Sequence, residues 1–262
     1  MLSTKHMAII VVGIVILSFL PFAVALPTPQ LAPRIRIGPS TSTNWSGYAV
    51  TGSAGSVSDV KASWVVPAIK GTCPSTNQYA SFWVGIDGYS SSTVEQTGTD
   101  SDCQNGSPRY YAWYEFYPKP SFIINSITIH PGDKISAEVK YSGGGFTVTI
   151  TDLTTGKTFS NSAKVNKAQR SSAEWIAEAP YSGGILPLAD FGTVSFGYVS
   201  TGVASTCYAT VGGVTGPIGS FGLSVQKITM VSQSSSTTIK AAPSDLSSDG
   251  TSFTIAWSNA GP

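Results

Sequence analysis

Residues 123–157 read IINSITIHPGDKISAEVKYSGGGFTVTITDLTTGK, and this stretch decides the fold class. Apolar and polar residues alternate over Ile123–Ile129, Ile135–Tyr141 and Phe146–Thr151, the period of a strand with one buried face. The runs are punctuated by His130-Pro131-Gly132-Asp133, Ser142-Gly143-Gly144-Gly145 and Thr154-Thr155-Gly156-Lys157, residue types that reverse a chain at low steric cost. Gly156-Lys157-Thr158 has the look of a phosphate-loop ending, but Thr151 stands where its first glycine belongs and no helix follows, so it reads as a turn.

The same pattern continues through Ala62–Val66, Val194–Tyr198 and Phe253–Trp257, and no long helical period interrupts it. Many short strands without an internal repeat predict an all-β fold, an antiparallel β-sandwich of jelly-roll or concanavalin-like type. About 220 residues fit one such domain. The expected organisation is a signal peptide at 1–25, a flexible leader at 26–43 and a single domain at 44–262. Lys5 and His6 precede the apolar run Met7–Phe22, and Ala23-Val24-Ala25 supplies a small-residue cleavage signal. The run is long enough that an uncleaved N-terminal anchor is the alternative. Either reading places the body outside the cytoplasm, secreted or anchored.

Charged residues make up 11% of the chain, with 15 Lys+Arg against 14 Asp+Glu. Removing residues 1–25 takes Lys5 and no acid, which leaves the charges balanced and gives no basic surface for nucleic acid or an anionic membrane. Few basic groups also limit self-repulsion once carboxylates are protonated, which suits an acidic medium. Three cysteines in an exported chain predict one disulfide. Cys73–Cys103 is the expected pair, because it ties together the ends of a loop-rich segment, and it leaves Cys207 free. No CxxC suggests zinc. Asp100, Asp102 and Asn105 resemble a calcium loop only faintly, with the glycine one place late and the distal Glu missing. Asn44-Trp45-Ser46 and Asn105-Gly106-Ser107 are glycosylation sequons.

Chemistry concentrates in Tyr79–Pro118, which offers Asp87, Glu95, Gln96, Asp100 and Glu115 among Trp83, Trp113, Tyr114 and Tyr117, and no histidine. His130, in a Pro-Gly turn, is the one histidine left after the signal, and no GxSxG surrounds a serine, which leaves carboxylate chemistry. Period two puts Trp113, Glu115 and Tyr117 on one face of a strand, and Glu174, Ile176 and Glu178 on one face of another. Acids in apolar strands are costly to bury unless paired or facing a cleft. Spacing alone leaves a peptidase, a glycosidase and a sugar-binding module open.

The order of blocks narrows this. Asn44-Trp45-Ser46-Gly47, Trp64-Val65-Val66-Pro67, Phe82-Trp83-Val84-Gly85-Ile86-Asp87-Gly88, Glu95-Gln96-Thr97-Gly98, Ala112-Trp113-Tyr114-Glu115-Phe116-Tyr117-Pro118, Ala173-Glu174-Trp175-Ile176 and Asp190-Phe191-Gly192 together resemble the glutamic peptidases, or eqolisins. The resemblance implies two curled antiparallel sheets, acid endopeptidase activity on polypeptides by a monomer, no cofactor and no metal. It also implies a catalytic pair of Gln96 and Glu174, with Trp45, Trp83, Asp87, Asp100, Glu115 and Tyr117 lining or bracing the substrate cleft. Glu95 is expected to be structural and Glu178 to lie at the rim. The loop Thr99–Arg109 with Cys103 points to a prokaryotic-type branch, the short leader departs from the longer fungal pro-segments, and Ser234–Ser248 reads as a surface connection. The alternative, a jelly-roll glycosidase or carbohydrate-binding module, would use Glu174 and Glu178, but Ile176 stands where a laminarinase-type strand carries its central acid.

Overall fold

The computed structural model describes residues 31–34, 36–38 and 41–261. The expected signal peptide, the alternative anchor and residues 26–30 of the expected leader lie outside the described residues. Among the described residues no helix is long and apolar enough to cross a membrane.

Two sheets, antiparallel except for the pairing of Thr41–Ser42 with Thr229–Met230, form the sandwich, with strands numbered here in chain order. The first runs β16 (Val225–Val231), β3 (Trp45–Thr51), β12 (Ser172–Glu178), β5 (Ser81–Ile86), β6 (Val94–Gln104), β7 (Ser107–Tyr117) and β8 (Phe122–Ile123). The second begins β11 (Lys157–Ala163), β10 (Gly145–Asp152), β9 (Lys134–Ser142) and β4 (Val57–Val65). Beyond β4 it divides: one arm carries β14 (Tyr208–Val211) and β15 (Val214–Pro217). The other carries β13 (Thr193–Gly197), β18 (Ser252–Trp257) and β17 (Ile239–Pro243). Strand β16 joins the sheets, since Val225–Ile228 pair with β3, while Thr229–Val231 reach β17 and the short β2 (Thr41–Ser42), which pairs in turn with β1 (Arg36–Gly38).

The hairpins β9–β10 and β10–β11 follow their turn residues. Gly143 and Gly144 have φ of 58° and 81° at the first turn, and Gly156 has 74° at the second, a backbone region glycine enters without a Cβ penalty. In β10 the burial alternates strictly, with Phe146, Val148 and Ile150 inward. They meet Phe82, Val84 and Ile86 from β5 and Trp175 from β12 in one core between the sheets. The Trp175 indole N–H donates to the Lys61 carbonyl at 2.8 Å, so the ring is buried without an orphaned donor.

Four local expectations are corrected. Ile123–Ile129 is not a strand beyond Ile123: Ile124, Ile127 and Ile129 plug the core from an irregular segment. Tyr198 opens the four-residue helix α1 (Tyr198–Thr201) rather than closing β13. The Ser/Thr-rich tail contains β17, with Lys240 and Ala241 buried. Leu31, Ala32 and Arg34, within the expected flexible leader, are buried, so packing against the body begins before Asn44. The disulfide joins Cys73 and Cys103, and Cys207 is free and buried. Burial also covers Asn44 and leaves Asn105 as the exposed sequon.

Candidate active site

The first sheet buries one face against the second and gathers the chemistry on the other. Period two sorts the side chains: Ala173, Trp175 and Ala177 join the core, while Ile176 joins Trp45, Trp83, Trp113 and Ile228 in a separate apolar cluster on the site face. The inward face of β7 likewise carries Tyr114 and Phe116, and Trp113 stands on the opposite one with Tyr111 and Tyr117 packed beside it.

Strand register then brings Gln96 and Glu174 together. Gly85 on β5 is the partner of Glu174 on one side and of Gln96 on the other. With strands about 4.8 Å apart, the two α-carbons lie roughly 10 Å apart on the same face, with only a glycine between them. A Cβ at Gly85 would stand 2.9 Å from the Trp83 ring and 3.1 Å from Gln96 Cβ. The row continues to Glu115, the partner of Gln96, and to Ala49, the partner of Glu174. Two reactive side chains can therefore lean toward one another over an empty position.

Their hydrogen bonding is unequal. Gln96 Nε2 donates to Glu115 Oε2 at 2.7 Å, while Gln96 Oε1 and Glu115 Oε1 are buried without partners. An amide has two N–H donors, so one remains for another acceptor. Glu174 is fully buried and neither of its oxygens completes a hydrogen bond among the described residues. Burial is the main cause that holds its carboxyl well above the ordinary range; Asp87 and Glu95 raise it further, and the Ser172 hydroxyl and Tyr89 N–H oppose the rise. Burial likewise raises Glu115, against the pull of the Gln96 hydrogen bond.

The remaining acids divide by role. Asp87, with φ of 74°, accepts from the N–H groups of Arg170 and Ser171 at 2.7 and 2.9 Å; it braces the entry to β12. Asp100 accepts from the Trp113 indole at 2.6 Å and, with Asp102, flanks the Tyr111 hydroxyl at 2.8 and 2.9 Å. A single hydroxyl proton thus faces two carboxyl groups. Burial pushes Asp100 up to about 7, and burial, then the charge of Asp100, raise Asp102 well above its usual value. Glu95 faces the core opposite Gln96, and burial, then Asp87, push it up to about 9.

Trp45 and Trp83 meet edge to face at 4.9 Å, and Tyr117 packs at the border of the same cluster. Glu178 is fully buried, not at the rim. Its Oε2 accepts from the Trp83 indole at 2.9 Å and its Oε1 from Ala32 N–H at 3.1 Å; burial pushes it up to about 8. Tyr111, Asp102 and Asn44 were missed as contributors, although the period-two series Gln96, Gly98, Asp100, Asp102 on β6 already places the two aspartates on the face of Gln96.

The chain resembles known proteins in sequence and in fold. The profile of the peptidase A4 family matches residues 43–255. Aspergillopepsin-2 of Aspergillus niger is 33% identical over 179 residues, 59% of this chain and 62% of that protein. Scytalidopepsin B of Scytalidium lignicola is 36% identical over 145 residues, 53% of this chain and 52% of that one. The matched region thus spans less than two thirds of either curated relative. Among solved structures, scytalido-glutamic peptidase with a transition-state analogue inhibitor aligns at a TM-score of 0.65 and 28% identity, over 82% of this chain and 98% of that one. Aspergilloglutamic peptidase from Aspergillus niger aligns at 0.55 and 31%, over 69% and 99%.

Proposed function

The chain belongs to the peptidase A4 family, and from that premise we propose that it is an endopeptidase that hydrolyses polypeptides in acid with Glu174 and Gln96. The observation that carries the reading is their shared register across Gly85. A water seated between them meets a carboxylate on one side and an amide on the other. Ionised Glu174 removes its proton as it attacks the scissile carbonyl; the free Gln96 N–H stabilises the developing oxyanion; Glu174 then returns the proton to the leaving amine. An amide donates without titrating, so it serves at a pH where a second carboxylate would be partly protonated.

Glu174 is shut off from solvent, and burial favours its neutral form. Entry of water relieves that desolvation and favours the ionised base. Asp87, Asp100 and Glu115 position the groups that line the cleft, and Trp45, Trp83 and Tyr117 supply apolar wall. The reaction as written uses no cofactor. Both catalytic side chains come from one sheet of one chain, which suits a monomer, and the Cys73–Cys103 bridge suits an oxidising, extracytoplasmic compartment. A glycosidase strand would need its central acid at position 176, where an isoleucine is buried in the apolar cluster.

The test is digestion of an unfolded protein substrate by the purified chain at acidic and neutral pH. Glu174→Gln and Gln96→Ala should each lower kcat about 10²- to 10⁴-fold in acid with unchanged circular dichroism. Full proteolysis by both variants, or sugar hydrolysis without proteolysis, would overturn the proposal.

A further inference from the structure

Away from the cleft, the sandwich carries a basic groove at one end. Residues 164–170 read KVNKAQR, three cations without an acid, and among the described residues none of Lys164, Lys167 and Arg170 enters an ion pair. The segment joins β11 to β12. Its Gln169 and Arg170 carbonyls accept from the N–H groups of Gly55 and Val57 at 2.7 and 3.0 Å, which docks it on the turn between β3 and β4. A cavity of about 570 Å³ opens between this segment and the tip of the β9–β10 hairpin, lined by Lys164, Asn166, Gln169, Arg170, Tyr141 and Gly144. Lys164 also borders an adjoining hollow of about 410 Å³ with Ser142, Thr147 and Ser162. No residue assigned to the cleft lines either space.

Arg170 is presented to this groove in a fixed pose. Its guanidinium lies 3.9 Å from the centre of the Tyr141 ring, and Nη1 donates to the Val57 carbonyl at 3.4 Å. Stacking holds the planar fork in place, and that one bond leaves most of its N–H donors unused. A Cβ on Gly55 would stand 3.2 Å from Nη2, so the glycine leaves room at the fork.

Such a fork matches the oxygens of a carboxylate, phosphate or sulfate group. In the acidic medium of the peptidase reading, a carboxylate with an ordinary value of about 4 loses its charge. A phosphate ester keeps one negative charge below its second ionisation at about 6, and a sulfate ester keeps its own. The cavity is far larger than a free ion and falls in the range of about 300–1,000 Å³ that holds whole small molecules. Asn166 and Gln169 add amide donors and acceptors, while Phe146, also in the lining, is only 1% exposed. A hydroxyl-bearing body is therefore matched better than an apolar one.

We propose that this groove is a second binding site, for a sugar that bears a sulfate or phosphate ester, with Arg170 and Lys164 on the ester and Asn166 and Gln169 on the hydroxyl groups. The choice of ester over carboxylate rests on the acid peptidase reading. The site itself does not, and its test involves no catalysis, so the two can fail separately.

Isothermal titration of the full chain in acid, at constant ionic strength, tests this with glucose 6-sulfate, glucose 6-phosphate, glucose, inorganic sulfate and phosphoserine. The tighter of the two esters should bind at least about tenfold more strongly than glucose, inorganic sulfate or phosphoserine. Lys164→Gln and Arg170→Gln should each weaken it at least about fivefold. Arg170 also packs on Tyr141, so the substitution at the exposed Lys164 keeps the test if the other variant does not fold. Esters no tighter than glucose, ester binding unmoved in either folded variant, or inorganic sulfate or phosphoserine as tight as the esters would overturn the proposal.

Discussion

Gln96 and Glu115 are register partners on β6 and β7, joined by a 2.7 Å hydrogen bond from amide to carboxyl. The bond spends one donor of the amide to fix the direction of the other. Glu115→Ala should therefore lower kcat about 10- to 100-fold with KM nearly unchanged, since preorganised donors act mainly on the transition state. Glu115→Gln keeps an oxygen acceptor at the same place and should lose less. Equal, wild-type kcat in both variants would show that the bond does not orient the amide.

Gly85 holds open the gap between Glu174 and Gln96. In Gly85→Ala the new methyl meets the Trp83 ring at 2.9 Å and both Gln96 Cβ and the Glu95 carbonyl at 3.1 Å, so the ring or the β6 chain that carries the amide must shift. Overpacking of this kind costs about 1–3 kcal/mol. The expected result is a thermal midpoint lowered by several degrees together with a kcat reduced at least tenfold; a melt and a peptide assay on the same sample check both.

Stability should be greatest in acid. Asp100, Glu178 and Glu95 have folded-state values raised to about 7, 8 and 9, and Glu115, Glu174 and Asp102 are raised too. A carboxyl whose folded value lies above its unfolded one is protonated in the folded chain and ionised in the unfolded chain between the two. Unfolding then releases protons, so the contribution is whole below pH about 4 and is lost as pH rises toward 7 to 9, by about 1.4 kcal/mol per pH unit for each such group. Urea midpoints taken from pH 3 to pH 8 should fall steadily; a midpoint that rises with pH would contradict the buried, neutral acids.

The Cys73–Cys103 bridge closes a loop with a sequence separation of 30. Loop-closure entropy assigns such a crosslink about 3–4 kcal/mol. Cys73→Ser/Cys103→Ser should lower the denaturation free energy by that order while leaving kcat largely intact, because neither cysteine belongs to the row of Gln96 and Glu174.

The sandwich was legible where local chemistry and tertiary environment agree. Phe146, Val148 and Ile150 alternate with threonines between glycine turns, and they form a strand because one face of it meets the core. Ile123–Ile129 alternates less regularly, and its isoleucines fill the core without a ladder: the Ile124 N–H reaches the Ala112 carbonyl, but regular pairing with β7 ends at Ile123. Composition misled at both ends of the domain. A Pro- and Ser-rich leader looks solvated until Leu31 finds an apolar seat on a distant face, and the Ser/Thr tail hides Lys240 and Ala241 of β17. Gln96 and Glu174 became visible through the ordered motif blocks, whereas the intervening Gly85 gained meaning only from register. Glu178 was placed at the rim because its partners, Ala32 and Trp83, are 146 and 95 residues away in sequence.

The alignment of Glu174, Gly85, Gln96 and Glu115 makes the site a matter of parity. A one-residue slip in β6 would turn Glu95 or Thr97 to the site face and send Gln96 into the core, and a slip in β12 would present Ala173 or Trp175 in place of Glu174. Loops between these strands can lengthen or shorten without touching the chemistry. Within them, insertions and deletions are tolerable only in pairs, so length variation among active relatives should avoid the interiors of β5, β6, β7 and β12.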